Sequence, residues 1–203
     1  MDDVIRAVDE EAYRLGTSRS NLINQILAQH LSCITPEMRM RDIFGYAAGL
    51  ISNSLQIQQQ RSASLMTMKT ALEYKYRPTV NYKVELKRIP DEFIGSLKVR
   101  IRTQSPALIA LFNGFFAYVV RTEKNLLSQK GYDNYVFSLG DGMFSRGLIN
   151  SSLSDEKTGE AIGEYITVLN RAVGAYFSSP ENFRESIPFF EEDYRKMLEK
   201  YII

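Results

Sequence analysis

The chain of 203 residues holds one cysteine, Cys33, and one histidine, His30. One thiol forms no intramolecular disulfide, and such cysteine usage is what a reducing compartment favours. A single His and a single Cys also exclude zinc sites built on His/Cys clusters. No excess of either charge is present: 25 Lys and Arg stand against 24 Asp and Glu. So flat a balance gives no global pull toward nucleic acid or an anionic membrane, and any such binding must come from a local patch.

Long hydrophobic runs are missing too. Thr103 to Val120 is uncharged, but its strongly apolar part, Ala107 to Val120, is 14 residues long and includes Asn113 and Gly114. A spanning helix needs about 20 apolar residues, so this segment reads as a buried core helix or one shared at a subunit interface. The acidic start, Met-Asp-Asp-Val, lacks the positive n-region of a signal peptide. The expectation is a soluble cytoplasmic protein with no membrane partner. With 44% hydrophobic and 24% charged residues the chain has the composition of a folded domain rather than a disordered one.

Periodicity supplies the elements. Ile5, Val8, Ala12 and Leu15 mark a helix over residues 2–15, with Asp2 and Asp3 at its N-terminus and Gly16 just past its end. Thr17-Ser18 caps a second helix, about 20–32. Thr35-Pro36-Glu37 starts a third, and its apolar spacing (Ile43, Phe44, Ala47, Leu50, Ile51, Ser54) resumes after Gln58-Gln59-Gln60 with Leu65, Met68 and Leu72. Whether this segment is one helix or two stays open.

Beyond Pro78, Val80, Tyr82, Val84 and Leu86 alternate with polar residues, as do Leu97, Val99 and Ile101, which predicts an antiparallel pair with one apolar face. Ser105-Pro106 opens the apolar helix 106–127. Residues 128–154 are irregular, with a strand at Tyr135–Leu139 and a turn at Gly140-Asp-Gly142. Helices follow at Asp155–Phe177 and, after Ser179-Pro180-Glu181, to Tyr201 with a break at Pro188. The fold class is α+β and mostly helical, with a small antiparallel hairpin or sheet. A module boundary falls near residue 34, dividing 1–34 from an α+β domain at 35–203.

Residues 1–34 carry the most specific signal. An acidic first helix ends at Gly16, the turn Thr17-Ser-Arg-Ser20 follows, and the second helix continues Asn21-Leu-Ile-Asn-Gln-Ile-Leu-Ala-Gln-His-Leu31. This resembles the helical part of the ribbon-helix-helix family of bacterial DNA-binding regulators. The resemblance implies a homodimer packed through Leu22, Ile23, Ile26 and Leu27. It also implies that Thr17, Ser18, Arg19 and Ser20 hold a DNA phosphate at the second helix's N-terminus, where unpaired N–H groups suit an anion.

The family reads bases with a strand ahead of the first helix, and Met1-Asp2-Asp3 falls where that strand would end. Residues 1–34 also hold five acids and three Lys/Arg. Two readings follow: a strand lies upstream of Met1 in the natural protein, or the helices serve only for dimerisation. The nickel-sensing branch of the family needs His/Cys ligands in its second domain, and the absence of any after Cys33 argues against that role.

Elsewhere, Lys83, Lys87, Lys98, Arg100 and Arg102 line up on the predicted hairpin. They form a possible anion surface, or the ordinary solvated face of an amphipathic sheet. Phe112, Phe115, Phe116 and Tyr118 read as core more readily than as a ligand pocket. Cys33 reads as a small buried side chain and His30 as a helix-end cation. No Ser/His/Asp set and no phosphate-cradling glycine loop is present, so neither catalytic residues, cofactor nor metal is expected.

The expected function is a homodimeric DNA-binding transcriptional regulator whose second domain senses an unknown small-molecule effector or extends the oligomer. The alternatives are a dimeric interaction protein that binds no DNA, and a small-molecule-binding protein with a pocket beside helix 106–127.

Overall fold

A computed structural model describes residues 2–31, 33–51, 54–58, 62–75, 77–178 and 183–203, with the main chain alone for 183–188. It contains α1 (Asp2–Arg14), α2 (Arg19–His30), α3 (Pro36–Leu50), β1 (Gln56–Ile57), β2 (Leu65–Ala71), β3 (Thr79–Leu86), β4 (Phe93–Arg102), α4 (Pro106–Gln129), β5 (Phe137–Gly140), β6 (Met143–Ile149), α5 (Asp155–Ser178) and α6 (Phe183–Lys200). The class is α+β, mostly helical. The sheet is larger than the expected hairpin: six antiparallel strands in the order β1-β2-β3-β4-β6-β5.

Helix starts follow the capping chemistry of the sequence. Ser18, Thr35 and Ser105 each accept a hydrogen bond from a backbone N–H in the first turn of α2, α3 and α4, and Pro36 and Pro106 occupy the first turn. Gly16 takes a positive φ of 61° after α1, the left-handed conformation that ends helices.

Three sequence expectations are corrected. The helical segment from residue 36 stops at Leu50, and 65–71 is strand β2. Leu65, Met68 and Leu72 happen to fall at helical steps, but the burial alternates with period two, Met66 and Met68 inward against Thr67 and Lys69. Strand β6 lies in the segment read as irregular, joined to β5 by Asp141-Gly142, whose φ values of 51° and 68° suit a tight two-residue hairpin turn. Helix α6 runs through position 188 without a break. The expected cap at 179–181 and the residues Gln59 and Gln60 lie outside the described residues.

The inner sheet face (Met66, Met68, Val80, Tyr82, Val84, Leu97, Val99, Phe144, Leu148) is buried under helices. Phe116 of α4 stacks on Phe144 at 4.5 Å, and the Tyr82 hydroxyl of β3 donates to Asn170 Oδ1 of α5 at 3.1 Å. Helix α5 packs between α3 and α6. Phe112, Phe115, Phe116 and Tyr118 are core, as read from the sequence.

One buried position breaks the apolar pattern. Arg146 of β6 points inward, with Nη1 2.6 Å from Glu123 Oε2 of α4 and its other amino group on the main-chain oxygen of Ile203. Tyr165 donates to Glu123 Oε1 at 2.6 Å, and the Arg146 guanidinium lies 4.6 Å from the Tyr165 ring centre. Burial pushes the Glu123 carboxyl above its ordinary value, against the opposing pull of Arg146 and of the Tyr165 and Tyr194 hydroxyls. Burial opposes the guanidinium's charge as well, but the Glu123 carboxylate overcomes this and holds Arg146 charged.

Among the described residues no helix is long and apolar enough to cross a membrane.

Candidate nucleic-acid interface

The structure places the sequence-derived site residues in two groups. The first is the α1–α2 pair. Ser18, Arg19 and Ser20 are exposed at the start of α2, and Thr17 is half-buried. Ser18 Oγ caps the helix by accepting from the Asn21 backbone N–H at 3.2 Å, and Thr17 Oγ1 accepts from the Asn21 side chain at 2.9 Å. Arg19 is engaged within the chain: its guanidinium makes a two-pronged bond to the Asp9 carboxylate of α1.

All three arginines of this unit pair locally, Arg6 with Asp3 and Arg14 with Glu11 besides Arg19 with Asp9. At these exposed positions such pairs are weak and exchange readily with another anion.

The apolar residues expected at a dimer interface divide. Leu22 is buried inside the chain, whereas Ile23, Ile26 and Leu27 are 39%, 49% and 50% exposed. Val4, Ile5, Leu15, Leu31 and Ile34 are also exposed. The two helices pack on each other; among their described residues Ala12, Leu22 and Ala28 are buried, and most of the larger apolar side chains stand outside. Cys33 is exposed, not buried as its residue type suggested. His30 ends α2 as expected.

The second group lies on the outer sheet face. Cross-strand pairing places Lys83 of β3 directly opposite Lys98 of β4, Asn81 opposite Arg100, and Thr79 opposite Arg102. On the far side of β4, Lys98 faces Ser145 and Arg100 faces Met143. Lys98, Arg100 and Arg102 are exposed, and no ion pair is formed by any of them among the described residues. Lys83 pairs with Glu85 at 3.3 Å. Lys87 lies beyond the end of β3 and is neutralised by Asp91, whose oxygens sit 2.6 and 2.7 Å from its Nζ.

Sequence reasoning missed Lys69. It lies on β2 opposite Asn81, so Lys69, Asn81 and Arg100 form one row across three strands. The Thr67-Met-Lys69 alternation was the signal, hidden by the helical spacing of Leu65, Met68 and Leu72.

The clefts of the molecule are shallow. One of about 460 Å³ separates the α1–α2 turn (Gly16, Thr17, Asn21) from Glu37, Arg41 and Arg88. Beside the apolar helix, a cleft of about 260 Å³ lies at its N-terminal end, between Pro78, Arg102 and Ala107.

Comparison with protein-family models, with curated proteins and with solved structures finds no match to this chain. The resemblance to ribbon-helix-helix proteins therefore rests on the residues of α1, the turn and α2.

Proposed function

We propose that the protein is a homodimeric DNA-binding transcriptional regulator of the cytoplasm, with α1 and α2 as its dimerisation and DNA-contacting unit. The observation that carries this is the uncovered apolar face of that unit. Ile5, Ile23, Ile26, Leu27 and Leu31 stand outside on two short helices, among whose described residues Ala12, Leu22 and Ala28 are buried. Exposed apolar side chains at adjoining positions of a helix face, as Ile23, Ile26 and Leu27 are, suit an association site, and a second copy supplies the same residues in a self-complementary way.

Once two copies pair, Thr17, Ser18 and Ser20 offer hydroxyls and a helix N-terminus to a phosphate. Arg19 joins them by exchanging Asp9 for it. The residues from 35 onward act as an effector-sensing or oligomerisation platform.

The test is duplex binding at low and moderate salt, on this chain and on one extended to the next in-frame upstream start, with molecular mass measured in parallel. A dimer whose DNA affinity falls steeply with salt supports the proposal. A dimer that binds no duplex in either length overturns the DNA role.

A second reading has one observation in its favour. The engagement of every arginine of α1 and α2 with an acid of α1 suits helices kept for assembly alone. On that reading both lengths dimerise and neither binds DNA.

A further inference from the structure

The outer face of the sheet gathers five cations, of which Lys83 pairs with Glu85 and the others form no ion pair among the described residues. Lys69, Lys83, Lys98, Arg100 and Arg102 occupy adjoining positions of β2, β3 and β4, with Glu85 as the acid among them. Neighbouring strands stand about 4.8 Å apart and same-face residues along a strand about 6.7 Å. The cations thus form a lattice on a rigid support rather than a scatter on loops.

A face selected only for solvation gains from opposite charges across strands and loses from like charges. Here the cross-strand neighbours of Lys98 are Lys83 and Ser145, those of Arg100 are Asn81 and Met143, and that of Arg102 is Thr79. Among the described residues no carboxylate is a direct cross-strand partner of any of the three in this register, and none of the three forms an ion pair. The charge is left for something outside the chain.

We infer that this face binds the phosphate backbone of duplex DNA, as a second contact surface beside the α1–α2 unit; the inference rests on the DNA-binding reading above. The neutral residues in the lattice, Thr67, Asn81 and Ser145, are of the types that hydrogen-bond phosphates alongside Lys and Arg. Single-stranded nucleic acid is the weaker fit, because binding it uses aromatic side chains as stacking platforms. Those of the central strands, Tyr82 and Phe144, face inward and are fully buried. Phe93, against the outer side of Gly147, sits at one end of the face under Lys87. A lipid surface is disfavoured too, since large aliphatic residues are sparse on the face, with Met143 beside Arg100 and Leu65 at the end opposite Glu85.

This surface also meets an electrostatic difficulty of the N-terminal unit, whose acids outnumber its Lys and Arg. The sheet supplies a sequence-independent attraction, and the α1–α2 unit contributes register.

The test uses the full-length protein and a labelled mixed-sequence duplex, with anisotropy followed between about 50 and 200 mM salt. The variants are Lys98→Ala/Arg100→Ala/Arg102→Ala on the sheet, Lys157→Ala/Arg195→Ala/Lys196→Ala as a control of equal charge on the helices, and Ile26→Asp against dimerisation. All three sheet positions are exposed, and circular dichroism checks that the variants fold. The expected result is an affinity loss of about tenfold or more in the sheet variant, with the slope of log affinity against log salt shallower by about 2 to 3, while the helix control keeps the wild-type slope. An unchanged affinity and slope in the sheet variant, with wild type binding, overturns the inference and leaves the regulator reading standing. Sheet-dependent binding that survives Ile26→Asp with no dimer formed supports the inference and sinks the N-terminal reading. Tighter sheet-dependent binding to single-stranded RNA or anionic vesicles than to duplex, or no binding of wild type to duplex, overturns the inference.

Discussion

Arg146 and Glu123 form an ion pair of 2.6 Å in which the two side chains are 1% and 0% exposed. Removing one partner leaves the other charged group buried without its mate, which typically costs about 3–5 kcal/mol. Arg146→Met and Glu123→Leu are each expected to destabilise the protein by that order, measured by urea unfolding. The double variant is expected to recover most of the loss. Apolar residues of similar volume remove the desolvation cost of both charges at once, so replacing the pair together is tolerated where breaking it is not. Additive losses in the double variant would refute this account.

The dimer face gives a prediction of the opposite kind. Ile26 and Leu27 are half-exposed in the single chain, so Ile26→Asp or Leu27→Asp adds no charge to the chain's own core. At an interface of two apolar faces the same carboxylate is desolvated without a partner. Sedimentation is expected to show monomers for both variants, with circular dichroism spectra like wild type. If wild type and variants sediment alike, the apolar face has another use.

Helix positions were legible where an apolar stripe coincided with caps, as in α3 and α4, or ran long enough alone, as in α5, and the β3–β4 pair was legible from strict alternation. Three strands were not legible: β1, at two residues, is too short to show a period, and the other two fail for identifiable reasons. In β2, Leu65, Met66 and Met68, none branched at Cβ, favour helix as readily as strand, and three-residue steps overlie the two-residue ones. In β6 the inward positions are Phe144, Arg146 and Leu148. The arginine interrupts the apolar alternation that marks a strand, and the partners that make its burial tolerable, Glu123, Tyr194 and Ile203, lie far away in the sequence. The candidate surface inherits the first difficulty: Lys69 could join the cations of β3 and β4 only once 65–71 was a strand.

Asp91 links stability to that surface. Its carboxylate is held below its usual value by hydrogen bonds from Lys87 first and then from the Phe93 backbone N–H. A depressed folded-state value means that the contribution is present above the unfolded value, about 3.9, and is lost as pH falls through the folded one. Asp91→Asn is therefore expected to lower stability at neutral pH by the modest amount an exposed pair contributes, and to change it little below the folded-state value, so that the acid limb of a stability–pH curve flattens. The same substitution frees Lys87 beside the sheet's cations, so duplex affinity is expected to rise and its salt dependence to steepen. Weaker binding by Asp91→Asn would count against the sheet as a phosphate surface.

Glycines on α5 test how the helical layer is set against α3. A Cβ on Gly163 would stand 2.7 Å from the Ala47 carbonyl oxygen, and one on Gly159 would stand 2.6 Å from the Tyr46 Cβ. Four residues apart, the two lie on one side of α5, and α3 approaches along it. Gly174, on the same helix, has open space where its Cβ would be. Alanine is the better helix former by about 1 kcal/mol, so propensity alone predicts that all three Gly→Ala changes stabilise. Packing reverses the sign at two of them. Backbone atoms cannot yield as a flexible side chain would, and forced overpacking costs about 1–3 kcal/mol. Thermal unfolding is expected to rise for Gly174→Ala and to fall for Gly159→Ala and Gly163→Ala. A rise at all three positions would mean that α3 and α5 stand farther apart than this close contact requires.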